Sequence, residues 1–260
     1  LDVINMSLGS SFGTPEDPSS IASNNAAQLG IIVVASAGNS GDVPYITGAP
    51  GVASLAISTA ASTKGGDVPA IEVSGDYNGR IEAVEGTSPV RVSDGPFSGA
   101  LVQDPNTIGC NATGGITTDM TDGVALISRG LCTFAEKVAN AEAAGAIAVV
   151  VYNDGTNPSR VAPIIMGGLG GAGVAAVMIP STDGSALSAA IGGGDTATAL
   201  LDESLVTPTQ FFDLLAGFSS RGPGHGGSTF KPDVTTPGVS IVSAAAGTVN
   251  GSANFQGTSM

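Results

Sequence analysis

Two residues far apart in the sequence have side chains suited to acyl-transfer chemistry. Ser259 follows a Gly-Thr step, and a serine hydroxyl becomes a nucleophile when a neighbouring base takes its proton. Asn39 follows Gly38 and the apolar run 31–34, and its side-chain amide could donate a hydrogen bond to a developing oxyanion. A Gly-Asn step alone also fits a simple turn, because both residues tolerate a positive φ.

Three blocks of sequence, residues 35–41, 231–241 and 255–260, resemble in this order the subtilisin-like serine proteases. The resemblance implies that Ser259 is the nucleophile and that Asn39 and the backbone amide of Ser259 hold the oxyanion. It also implies that two short segments bind a peptide substrate as an added strand. The substrate-binding residues implied in this way are Ser7, Leu8, Gly9, Ser36, Ala37 and Gly38.

A serine triad also needs a histidine base and an aspartate that orients the histidine. The single histidine, His225, lies in a Gly-rich stretch that does not match the family's base, and we interpret it as a surface-loop residue. Asp2 does not match the family's triad aspartate. We therefore expect both partners upstream of residue 1, a chain that is an internal fragment of the enzyme, and no proteolysis by the 260 residues alone.

The first 63 residues have the pattern of a strand, a helix and a strand, which favours a parallel sheet. Short apolar runs predict strands at residues 3–8 and 31–35, and apolar residues at helical spacing predict a helix that ends near Leu29. Ligands bind at the carboxyl ends of strands in such sheets. Because residues 8–9 and 38–39 both follow predicted strands, we expect them to border a common cleft.

Two further strands are predicted in the flanking segments. One spans residues 52–59, with Leu55 and Ile57 facing inward, and the other is a buried strand at 239–242.

From Lys64 onwards the chain becomes richer in Gly, Asp, Ser and Thr, and its predicted strands become shorter. The clearest elements are strands at residues 124–127 and 147–152, with a helix between them that Thr133 would cap. Residues 64–209 resemble the protease-associated (PA) domain, most specifically at 124–153. The resemblance implies a module that modulates substrate access or protein contacts and takes no part in bond-making chemistry.

These segments together predict an α/β fold. Residues 1–63 and 210–260 would form a parallel-sheet, subtilisin-like catalytic portion, which is incomplete in this chain. An α+β PA domain at residues 64–209 would be inserted into it.

The two cysteines, Cys110 and Cys132, both lie in the predicted PA domain. A secreted protein favours a disulfide between them, and two free, buried thiols are the alternative. Two cysteines and one distant histidine do not form a zinc-type ligand set, so no metal is predicted. Residues 168–173 match G-x-G-x-x-G, but a strand follows them instead of preceding them, so we interpret them as a loop and predict no cofactor.

The composition excludes several classes of partner. A formal net charge of −14 disfavours nucleic acid, which selects a basic surface. No apolar run reaches the roughly 20 residues of a membrane helix, so no membrane contact is predicted. With 39 glycines and no tryptophan, the chain has the composition of a loop-rich secreted protein. The resemblance to subtilisin-like proteases implies that its partner is a protein or peptide substrate.

Two other functions remain open at this point. The flanks could be catalytically inert, in which case the PA domain would recruit a protein partner. A structural or surface-layer protein of similar composition is the third possibility.

Overall fold

The computed structural model describes residues 1–226 and 230–260. The chain divides into two compact units, one formed by Leu1–Gly65 with Phe211–Met260 and the other by Gly66–Gln210. We call them the flanking unit and the inserted unit. The boundaries expected from the sequence were 63/64 and 209/210.

The helices and strands follow the chain from the flanking unit into the inserted unit and back. In order they are β1 (Val3–Met6), α1 (Pro18–Gln28), β2 (Ile32–Ser36), β3 (Ile57–Ser62), β4 (Asp67–Gly75), β5 (Gly79–Glu82), β6 (Val84–Glu85), β7 (Phe97–Val102), β8 (Val124–Ser128), α2 (Phe134–Ala143), β9 (Ala148–Tyr152), β10 (Ala175–Ile179), α3 (Ser181–Gly193), β11 (Ala197–Pro208), β12 (Val234–Pro237), β13 (Ile241–Ala244) and β14 (Ser252–Phe255).

The flanking unit contains a four-stranded sheet in the order β1-β2-β3-β12, and every neighbouring pair in it is parallel. The strand-helix-strand pattern at the start of the chain therefore forms the expected parallel unit. Pro18 at the first turn of α1 supplies a helical φ, and its missing backbone N–H costs no hydrogen bond because N–H groups at this position have no partner within the helix. Gly30, with φ of 88°, ends the helix in the left-handed region.

The predicted strand at 52–59 is wrong in its position and in its inward face. β3 begins only at Ile57, and Leu55 and Ile57 are both substantially exposed. Asn24 of α1 accepts a hydrogen bond from the Leu55 backbone amide at 2.9 Å, which holds Leu55 in a loop. The small side chains of Ala53 and Ala56 pack beneath the helix instead.

The predicted buried strand at 239–242 is also wrong. The nearest element, β13, pairs with β14 in a two-stranded ribbon and is largely exposed. β12 takes the place beside β3, although its sequence Val-Thr-Thr-Pro carries little apolar character.

The inserted unit contains an eight-stranded mixed sheet in the order β5-β4-β11-β7-β8-β9-β10-β6. Its central strands β7 to β10 run parallel, and the outer pairs run antiparallel. β9 and β10 are buried along their whole length, which explains their uninterrupted apolar sequences.

Two helices cover opposite faces of this sheet, since alternate residues of β8 contact different helices. Leu126 clusters with Leu187 of α3, whereas Ile127 clusters with Val138 of α2. The Thr133 hydroxyl accepts a hydrogen bond from the Glu136 amide at 3.2 Å, as a helix cap should.

The predicted disulfide is present between Cys110 and Cys132, with Cα atoms 5.8 Å apart. Residues 168–173 form a loop, as predicted. Among the described residues, no helix combines the length and the apolar character needed to cross a membrane.

The two units differ in how much large apolar surface they expose. Exposed large hydrophobic residues are spread throughout the flanking unit, from Leu1 to Met260, whereas Leu131 and Val206 are the ones found in the described inserted unit. Both large buried clusters belong to the inserted unit. The inserted unit therefore has the core of an independently stable domain.

We predict that limited proteolysis of the 260-residue chain leaves a resistant fragment close to Gly66–Gln210. The flanking unit should be cut first, because cleavage follows local opening and its core is small. The fragments can be identified by mass spectrometry. A resistant fragment made of the flanking segments would contradict the prediction.

Leu126→Ala and Leu131→Ala provide a matched pair for this test. Leu126 is 1% exposed, so its truncation should cost about 2–5 kcal/mol and remove the resistance. Leu131 is 79% exposed, so its truncation should leave the fragment intact.

Candidate active site

Asn39 lies in the loop that follows β2, at the carboxyl edge of the parallel sheet. Gly38 precedes it with φ of 108°, and a Cβ at this position would lie 2.9 Å from the Ser220 hydroxyl oxygen. Both the positive φ and the close approach require glycine. The same fully buried Ser220 donates its backbone N–H to Gly38 at 2.9 Å and accepts from the Ser40 amide at 3.1 Å. Ser220 thus holds the loop on both sides of Asn39.

Thr258 orients the Asn39 side chain through two hydrogen bonds. Its backbone N–H and its hydroxyl donate to Asn39 Oδ1 at 2.9 and 3.0 Å, and the hydroxyl also accepts from the Gly38 amide at 3.1 Å. Because these bonds occupy the amide oxygen, Asn39 Nδ2 is left as the available donor. Among the described residues, none accepts a hydrogen bond from this nitrogen.

Ser259 is partly exposed and directly follows this anchor. Its carbonyl oxygen accepts a hydrogen bond from the Ser7 hydroxyl at 3.0 Å. Within the part of the chain that the structure describes, the Ser259 hydroxyl and backbone N–H have no recorded hydrogen-bond partner. Both groups therefore remain available to a ligand.

A cleft of about 220 Å³ brings these segments together within the flanking unit. It is lined by Ser7, Leu8, Gly9, Ser36, Gly38, Asn39, Thr258 and Ser259, together with Ser10, Ser11, Ser40 and Gly48. Each of these lining side chains is uncharged. The two residues expected to act in catalysis lie in this cleft with all of the expected substrate-binding residues except Ala37.

Ala37 and Gly38 do not fit the expected role of pairing with a substrate strand. Ala37 is fully buried, and its N–H donates to Thr59 while its carbonyl accepts from Gly48, both at 3.0 Å. The Gly38 N–H donates to Thr258. Since both N–H groups are used inside the protein, this segment can form a wall of the cleft but cannot supply backbone donors to a peptide.

Residues Ser7, Leu8 and Gly9 remain suited to contact an extended peptide. All three are exposed and follow β1, which lies at one edge of the described sheet. The Leu8 carbonyl accepts from the Ser36 hydroxyl at 3.2 Å, which joins the two walls of the cleft.

His225 is exposed, does not line the cleft and packs edge-on against Tyr45, with ring centroids 6.2 Å apart. The cleft therefore has a candidate nucleophile and a candidate oxyanion donor without an adjacent histidine from this chain. The sequence alone did not indicate a positioning role for Thr258 or Ser220. Thr258 lies within the recognised motif, but its partner is 219 residues away.

Among the described residues, one group of possible metal ligands is found, formed by Cys110, Cys132 and Glu136. Both sulfur atoms are joined in the disulfide, so neither can act as a thiolate ligand. The group does not fit a metal.

Comparison with known proteins finds similarity to a PA domain and to proteases. A family described as "PA domain" matches residues 97–187. The chain is 31% identical over 242 residues to the minor extracellular protease Vpr of Bacillus subtilis, covering 93% of this chain and 28% of that protein. It is 32% identical over 295 residues to a PII-type proteinase of Lactococcus lactis subsp. cremoris, covering 100% of this chain and 15% of that protein.

A plant relative extends the similarity. The subtilisin-like protease SBT1.4 of Arabidopsis thaliana is 29% identical over 262 residues, covering 95% of this chain and 31% of that protein. The chain thus spans less than a third of each of these relatives while being almost wholly covered by them. Nearly the whole chain is thus similar to part of subtilisin-like proteases, and it contains a PA domain.

Proposed function

We propose that this chain carries the nucleophile and oxyanion-binding half of a secreted subtilisin-like serine endopeptidase, with Ser259 as the nucleophile and Asn39 as an oxyanion donor. The observation that carries the proposal is the orientation of Asn39. Thr258 holds its Oδ1, which leaves Nδ2 available in the cleft that Ser259 lines. A donor fixed before the reaction loses no energy to reorientation when the oxyanion forms.

The reaction would be acyl transfer to serine followed by hydrolysis. Ser259 Oγ attacks the carbonyl carbon of the scissile peptide bond, and the carbonyl oxygen becomes an oxyanion between Asn39 Nδ2 and the Ser259 N–H. A base takes the hydroxyl proton and later gives it to the leaving amine. Water then releases the acyl group from Ser259.

The base has to come from outside these 260 residues. The sequence contains one histidine, and the exposed His225 does not line the cleft. We therefore infer that the chain alone does not hydrolyse peptides.

The peptide would bind in extended form along Ser7, Leu8 and Gly9. The uncharged, hydroxyl-rich lining suits the peptide backbone better than a charged side chain. We further propose that the PA domain modulates substrate access or protein contacts, as the sequence resemblance suggested. Secretion is supported by the disulfide and by the extracellular location in the name of the Bacillus relative.

A second candidate is a binding protein whose flanks are inert and whose PA domain recruits a partner. The absence of His225 from the cleft lining favours it. Covalent labelling separates the two functions.

One prediction from the proposed function concerns the nucleophile. A serine-directed phosphonate should label the full-length protein at Ser259, and Ser259→Ala should abolish both labelling and peptide hydrolysis, by up to about 10⁶ in kcat. Ser252→Ala, an exposed serine in β14 of the same segment, is the control and should behave as the unmodified protein. An unlabelled full-length protein would favour the inert binding protein.

The 260-residue chain on its own should neither label nor turn over peptide substrate. Turnover by this chain that depends on Ser259 would show that the inference about the missing base is wrong.

The second prediction concerns Thr258 as a positioning residue. Thr258→Val removes the hydroxyl but keeps the backbone N–H, so one of the two bonds to Asn39 Oδ1 is lost, together with the bond that the hydroxyl accepts from the Gly38 amide. One hydrogen bond of about 1–1.5 kcal/mol corresponds to a roughly tenfold lower kcat in the full-length enzyme, with KM nearly unchanged.

Thr258→Ser restores the hydroxyl and should recover most of the lost kcat, whereas a purely structural role would affect KM and thermal stability together. Wild-type kcat in Thr258→Val would exclude the positioning role.

A further inference from the structure

Lys137 of α2 is a charged residue with 0% exposure in the inserted unit. Its ammonium donates to the Ile108 carbonyl at 2.5 Å and lies 3.4 Å from Cys110 Sγ of the disulfide. Burial lowers the pKa of Lys137 to about 8, while the nearby carboxylates Glu136 and Asp154 act in the opposite direction. The peptide hydrolysis proposed above does not use this lysine.

The disulfide sulfur is a poor partner for this buried ammonium. Divalent sulfur accepts hydrogen bonds only weakly, and one carbonyl supplies the other recorded contact of Lys137 Nζ. A thiolate at Cys110 would pair with the ammonium far better, since a charged acceptor strengthens such a bond. Lys137 therefore favours the thiolate of Cys110 more than it favours the disulfide.

The two cysteines differ in access. Cys110 is fully buried, whereas Cys132 is partly exposed beside Leu131, an exposed residue with φ of 54°. An incoming thiol can therefore approach Cys132, and Cys110 becomes the leaving group. A lower pKa of the leaving thiol speeds this exchange.

Two carboxylates, those of Glu136 and Asp154, lie near Lys137 and the disulfide. Glu136, next to Lys137 on α2, has a carboxylate oxygen within 4.8 Å of both sulfur atoms and accepts from the Asn111 amide at 2.8 Å. Its negative charge opposes a thiolate at this position. Asp154 is engaged by Arg160 at 3.0 Å. Lys137 Nζ lies 3.4 Å from Cys110 Sγ, so its positive charge acts directly on this sulfur and opposes the effect of Glu136.

We propose that the Cys110–Cys132 disulfide is a thiol-exchange site at which a low-molecular-weight thiol of the glutathione class becomes attached to Cys132. The thiolate of the small molecule attacks Cys132 Sγ and forms a new S–S bond. The bond between Cys132 and Cys110 breaks, and its electron pair goes to Cys110, whose thiolate pairs with the Lys137 ammonium. One disulfide and one thiolate are consumed and one of each is formed, so the step needs no further oxidant or reductant.

The test uses the disulfide-bonded 260-residue chain with reduced glutathione at pH 7.5, quenched by alkylation and analysed by peptide mass spectrometry. Glutathione should be found on Cys132 and the alkyl group on Cys110. Glutathione on Cys110 would overturn the proposal.

Two substitutions on α2 should act in opposite directions. An opposite charge in contact shifts a pKa by at least about one unit, so Lys137→Met should lower the equilibrium constant for mixed-disulfide formation about tenfold. Glu136→Gln keeps an acceptor oxygen for Asn111 but removes the charge, so it should raise the constant severalfold. Glu142→Gln removes the same charge from an exposed position on the helix, six residues from Glu136 and about 9 Å along the axis. This variant should leave the equilibrium constant unchanged.

Thermal unfolding of each variant identifies a loosened fold, because Lys137→Met could expose the disulfide by disturbing the core. If this variant unfolds early, the Glu136→Gln and Glu142→Gln pair decides the question. An equal constant in those two variants, or a higher constant in a well-folded Lys137→Met, would show that charge beside Cys110 does not control the exchange.

Discussion

The parallel pairing of β3 with β12 is the constraint on which the candidate site depends. The two strands are neighbours in the sheet although the whole inserted unit separates them in sequence. An ion pair between the buried Lys231 and the exposed Asp233 anchors the start of β12, because Asp233 accepts from the Lys231 ammonium and from the Ser58 backbone amide, both at 2.7 Å. The Gly238 amide then bonds to Ser62, and the Gly257 amide to Gly238. These contacts place Thr258 beside Asn39.

The inserted unit could be largely predicted because its sequence signals agree with its packing. β9 is buried on both faces, so its uninterrupted apolar run identified it without knowledge of its neighbours. Thr133 also caps α2 through a contact only three residues along the chain. Features set by local sequence or by complete burial can be read from one chain.

The flanking unit was harder to predict because its packing depends on distant partners. Leu55 was expected to face inward, but the hydrogen bond that its backbone N–H donates to Asn24 holds this residue in an exposed loop. β12 has no apolar run and joins the sheet through its backbone beside β3. Sequence motifs located Ser259 and Asn39, whereas the positioning contacts of Thr258 and Ser220 depend on chain segments about 180–220 residues apart.

The two units place their polar groups under opposite electrostatic conditions. In the candidate cleft, neutral donors and acceptors orient the Asn39 side chain. The cleft is exposed, so water can take the place of a ligand there. Beside the disulfide, the fully buried Lys137 ammonium lies against Cys110 Sγ. A change of this sulfur from disulfide to thiolate would strongly change its electrostatic interaction with Lys137, because little solvent screens the two groups. The cleft is thus suited to stabilising charge that forms transiently on a bound substrate, whereas the buried lysine is suited to stabilising charge that persists on the protein itself.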